Sequence, residues 1–98
     1  MNNIQTIIEK QLNAHAHHMV NCFKNLTIRY EYCAYKDIYL MSYYTDKLVD
    51  YNEFAEDAMK FADKMNIIYN ELNAPLFCDN EKLFKLSANA TTISNKNI

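Results

Sequence analysis

Three side chains in the first quarter of the chain have the types and the spacing to do chemistry. His15, His18 and Cys22 stand at i, i+3 and i+7, which on a helix gathers two imidazoles and a thiol into an arc of about 60°. Soft divalent ions such as zinc take these ligands, and facing helices of bundles hold ions in this way. A closed zinc site needs a fourth ligand, for which Cys33 and Cys78 are the candidates, while His17 points to the other side of the helix. His18 and Cys22 also pair a base with a nucleophile, but the sequence names no group to orient the base and no oxyanion donor. The plainer expectation is packing: His15 at the core edge, His18 at the boundary and Cys22 as a small buried apolar group.

A second set is acidic. Between Asp46 and Asp57 five carboxylates meet only Lys47, a local charge of −4. Asp50, Glu53, Glu56 and Asp57 fall opposite the apolar stripe of their segment, where burial does not tune a carboxyl for acid–base work. No glutamate has a histidine three residues later, so the ligand pattern of paired-iron bundles is missing. Acids near a helix start complement its macrodipole. The same field can dock a basic partner.

A third set is aromatic. Tyr30, Tyr32, Tyr35, Tyr39, Tyr43 and Tyr44, six of the eight tyrosines, crowd into fifteen residues, more than one face of one element can bury. The surplus is expected at the surface as contact area for a protein. Stacking on single-stranded bases is the rival reading, but only Arg29 and Lys36 lie nearby to supply positive charge.

The elements that must position these groups are constrained by composition. Ninety-eight residues make one modest core. Ten basic against twelve acidic residues, net −2 and pI near 5.8, argue against a dedicated duplex-DNA binder. The total absence of glycine removes phosphate loops, the dinucleotide fingerprint and the nucleophile elbow. The opening residues resemble no signal peptide and no stretch is apolar enough to span a bilayer. An intracellular, cytoplasmic chain with free thiols is therefore expected.

Ile4, Ile8, Leu12, His15, Met19, Cys22, Phe23 and Leu26 recur at helical steps, predicting a helix over 3–24 with Asn2 or Asn3 as its N-cap and a left-handed Asn25 at its end. Leu48, Tyr51, Ala55, Ala58, Ala62, Met65, Tyr69 and Leu72 form a heptad seam flanked by Phe54, Phe61 and Ile68, predicting a helix over 46–73, capped by Thr45 or Asp46, that packs on the first helix or on a second copy. Ala74-Pro75 ends it. Asp79 caps a short helix over 80–88, and 89–98 reads as a flexible tail beyond a single domain of 1–88.

The segment 26–44 admits two readings. Its residues alternate as a hairpin turning at Lys36-Asp37 would, with Ile28, Tyr30, Tyr32 and Ala34 on the face of Tyr39, Met41, Tyr43 and Thr45. Without an Asn-Gly or Asp-Gly turn and without glycine anywhere, the helical reading over 27–44 is taken, giving an all-α bundle of three to four helices. The alternative is an α+β fold with a hairpin at 26–44. In style the chain resembles the small acidic inhibitors and adaptors of phages and mobile elements, anti-CRISPR proteins among them. That resemblance implies a non-enzymatic, cofactor-free protein, in a host cytoplasm if phage-encoded, that binds a basic nucleic-acid-handling protein through the acidic helix and the tyrosines. Two alternatives stand beside it: a metal-dependent sensor or enzyme on His15, His18 and Cys22, and a homodimeric structural module.

Overall fold

The computed structural model describes residues 3–45, 51–70 and 73–94, with the side chains of 51–53 excepted. Asn2, Asp46, Leu48, Asp50 and Leu72, and the side chain of Glu53, therefore lie outside the described residues. The fold is α+β and corrects the all-α expectation: helix α1 (Asn3–Cys22), strands β1 (Leu26–Cys33) and β2 (Ile38–Thr45), helix α2 (Tyr51–Ile68), then strands β3 (Leu76–Asp79) and β4 (Thr91–Ser94). The strands form one mixed sheet in the order β3-β2-β1-β4, with β1 antiparallel to β2 and β4, and β2 parallel to β3.

The segment 26–44 is the hairpin. Its register pairs Ile28 with Tyr43, Tyr30 with Met41 and Tyr32 with Tyr39, which puts tyrosines and β-branched residues on one pleated face, where they pack best. The turn spans Ala34 to Asp37, and Asp37 takes φ 55° in place of a glycine while its carboxylate accepts from the Tyr32 hydroxyl. Aspartate tolerates the left-handed region because its short polar side chain bonds locally. A two-stranded ribbon alone is marginal, and β3 and β4 supply the missing neighbours.

Because β2 and β3 are parallel, a tight turn cannot join them, and α2 is the crossover. It is shorter than the expected 46–73. Thr45, expected as its cap, instead ends β2. Both helices lie on one face of the sheet. Ile8, Leu12, Ala16 and Met19 of α1 pack with Leu26, Ile28, Tyr30, Met41 and Tyr43 of the hairpin, Phe54 and Met65 of α2 and Ile93 of β4. α1 closely matches its predicted extent, but Asn25 has no positive φ. Phe54 and Met65 are buried and Ala58 and Phe61 pack against the core, so the inward side of α2 combines the seam residues Ala58 and Met65 with the flanking aromatics, while Ala55 and Ala62 stay half-buried beside them.

The other face of the sheet is covered by chain rather than helix, which corrects the expected helix over 80–88. Residues 80–90 run from β3 at one edge to β4 at the opposite edge. Asn80 and Glu81 take φ 52° and 53°, and the Glu81 carboxylate accepts from Arg29 (3.3 Å), the Leu86 amide (2.7 Å) and the Tyr44 hydroxyl. The Glu81 amide donates to Ser42 Oγ (2.8 Å), and Glu31 accepts from the Ser87 amide (3.0 Å). Within the stretch read as a tail, Thr91–Ser94 forms β4 and Ile93 is buried in the core.

Candidate functional site

The hairpin distributes the tyrosines between the two faces of the sheet. Tyr30, Tyr39 and Tyr43 are buried on the helix side, where Tyr30 and Tyr32 each meet Tyr39 edge-on. Their hydroxyls have partners, as buried phenols require: Asn13 Nδ2 donates to Tyr30 at 3.0 Å, and Tyr43 is hydrogen-bonded to His15 Nε2 at 2.9 Å. Burial, followed by the charge of Glu9, pushes the Tyr39 phenol up to about 12. Burial, and then Asp79, holds Tyr43 protonated above the ordinary tyrosine range. Tyr44 lies on the far face against Glu81. Tyr35, at the hairpin tip, is 96% exposed. The six do not form one surface patch.

His15, His18 and Cys22 are likewise separated in role. The His15 ring stacks on Phe61 with centroids 3.7 Å apart and planes 2° from parallel. Burial first, then the charges of His18 and Lys64, lower its pKa from 6.5 to about 4, so the ring is neutral near pH 7. His18 and Cys22 are exposed with ring nitrogens 3.8 and 4.0 Å from Sγ. Among the described residues no group of three or more His, Cys, Asp or Glu side chains is placed to hold a metal ion. Cys22, Cys33 and Cys78 are free thiols. Of the acidic set, Glu56 is exposed and paired with Lys60 at 3.2 Å, and Asp57 is half-buried.

An apolar concavity lies elsewhere, between α2 and the edge strand β3. It has a volume of about 220 Å³ and is lined by Ala55, Ala58, Met59 and Ala62 of α2, by Phe77, Cys78 and Asp79 of β3, and by Tyr43 and Phe54 beneath. Its origin is local. The alanine seam has no side chain long enough to close the gap left once Phe54, Phe61 and Met65 have docked into the core. Phe77 and Asp79 share the pleat face of their partners Met41 and Tyr43, so both project to the helix side. Asp79, expected as a helix cap, is thereby the one charged residue of the lining among the described residues. Met59, at the rim, is 66% exposed.

Sequence reasoning missed this site as a site. The run of alanines was visible, but nothing in the sequence pairs it with Phe77 and Asp79, which meet it only through the β2-α2-β3 crossover. The chain matches no protein family, no curated protein and no solved structure.

Proposed function

We propose that this chain is a non-enzymatic protein-interaction module that docks a basic partner protein at the α2–β3 cleft. The observation that carries the reading is the cleft itself: an apolar concavity at the surface whose single charged lining group among the described residues is a carboxylate. Concave, mostly apolar sites with few polar groups are where ligands and anchor side chains bind. A partner entering here leaves an apolar side chain against Ala58, Ala62 and Phe77 and brings a cation toward Asp79. The net charge of −2 favours the same sign of partner. Binding thereby moves from the tyrosine patch and acidic helix face expected from sequence to a surface neither defines, while the partner class stays a basic protein.

The test is retention from an extract of the source organism on immobilised wild type, Ala62→Arg, Met59→Glu and, as a control away from the cleft, Tyr35→Ser. A basic protein held by wild type and Tyr35→Ser, released at high salt and lost from Ala62→Arg and Met59→Glu supports the reading. Retention indifferent to both cleft variants overturns it. A second copy is the competing occupant, favoured by the small residues Ala55, Ala58 and Ala62 along the cleft. Sedimentation that finds a dimer dissolved by Ala62→Arg would replace the basic partner with a homodimer.

A further inference from the structure

The cleft adjoins a strand edge, and the two together specify the shape of what binds. We infer, resting on the docking reading above, that the partner's docking element is an extended strand that adds to the outer edge of β3 and lowers one apolar side chain into the cleft.

β3 ends the sheet, and among the described residues no strand pairs with its outer side. The Asn80 amide donates inward to the Tyr43 carbonyl at 2.8 Å. By the alternation of a strand, Cys78 also faces β2, and Phe77 turns its N–H and C=O outward. Main-chain pairing at such an edge supplies affinity, and pockets for alternate side chains supply specificity. Both are present here. On the helix side of the edge lies the cleft, with Asp79 two residues beyond Phe77. On the opposite face lies Leu76, 44% exposed, positioned against the alternate side chain of an added strand.

The spacing defines the partner motif. Residues opposite Phe77 and Asp79 share one face of the added strand and stand two apart. The motif is therefore an apolar residue and a Lys or Arg separated by one residue, in either chain direction. A helix fits the site less well, because the cleft follows α2 only from Ala55 to Ala62, about 10 Å, and ends against the strand edge.

The probe is the capped heptapeptide Thr-Lys-Thr-Leu-Thr-Lys-Thr, whose side-chain pattern reads the same in both directions. It is titrated into isotope-labelled full chain to roughly millimolar concentration, a range suited to short-peptide affinities, alone and with N-methyl groups on one or the other alternate set of amides. The expected result is saturable shifts in the cleft lost in Ala62→Arg, slowed exchange of the Phe77 amide, and binding weakened about tenfold or more by methylation of one set only. Saturable binding lost in Ala62→Arg, yet indifferent to both methylated sets, overturns strand addition and leaves the cleft reading standing. Binding that is absent, or unaffected by Ala62→Arg, overturns both. Concentration-dependent protection of Phe77 without peptide assigns the edge to a second copy of the chain and overturns the partner strand.

Discussion

His15 and Glu81 show how much a single side chain carries in a chain of this size, and they titrate in different windows. The fold stabilises neutral His15, whose pKa falls from 6.5 to about 4; the folded chain then binds fewer protons than the unfolded chain between those values. Its contribution is complete above pH 6.5 and is lost as pH falls toward 4, a change of about 2–3 kcal/mol. Urea unfolding of wild type and His15→Leu at pH 7, 5.5 and 4.5 is expected to give a stability difference that shrinks by this amount. A constant difference would place the His15 ring in solvent. Glu81 acts lower on the scale. The Leu86 amide and the Tyr44 hydroxyl hold its carboxyl below the ordinary 4.5, with Arg29 adding to them, so its contribution is present above 4.5 and fades as pH falls through the lowered value. Glu81→Ala should destabilise by about 1–3 kcal/mol at pH 7, with a cost that declines below pH 4.5. His15 was legible as a core-edge residue. The role of Glu81 was not, because its partners Arg29, Ser42 and Tyr44 are distant in sequence and meet it only when residues 80–90 cross the sheet.

At the scale of elements, α1 and α2 were legible because their apolar residues repeat at the helical period, and the hairpin was legible only as an alternative. Two physical facts hid it. β2 is a central strand buried on both faces, Ile38, Leu40 and Ser42 as well as Tyr39, Met41 and Tyr43, so its sequence lacks the clean alternation of a half-exposed strand. The absence of glycine, taken as evidence for helices, has little force where Asp37, Asn80 and Glu81 supply the left-handed positions; the substitution costs of order 1 kcal/mol at each such position. The seam was legible only in part. Its alanines line the cleft, whereas its Met65, with Phe54 and Phe61 beside the seam, holds the inward side of the helix down. Two methionines six residues apart separate these sides: Met65→Ala, fully buried, should cost about 2–4 kcal/mol in chemical denaturation, whereas Met59→Ala, largely exposed, should stay within about 0.5 kcal/mol. Equal costs would mean that α2 sits in another rotation and that the cleft is not on its alanine face.

For the whole molecule, the final strand decides what counts as the folded unit. A sequence reading that stops the domain at residue 88 leaves three strands and an uncovered β1 edge. The structure uses Thr91–Ser94 to pair with Thr27–Tyr30 and places Ile93 opposite Ile28 in the core. The chain reaches that edge only by crossing the second face of the sheet, where the Arg29–Glu81 pair, the Arg29 bond to the Ser87 carbonyl (2.6 Å) and the Glu31 bonds to Ser87 fix its path. Those polar groups satisfy one another on a face that no helix among the described residues covers, and each loses partners if the crossing segment lifts. Sheet order, strap and core are therefore coupled, and their failure should be cooperative. Ile93→Ala alone is expected to cost about 2–4 kcal/mol. Ending the chain after Asn89 should cost more than Ile93→Ala, because it removes the β4 ladder together with the buried side chain and releases the anchored segment. Thermal unfolding followed at the tyrosines and by far-ultraviolet dichroism would test this. A truncated chain with the wild-type midpoint would show that 91–94 is dispensable and that the fold is complete at β3.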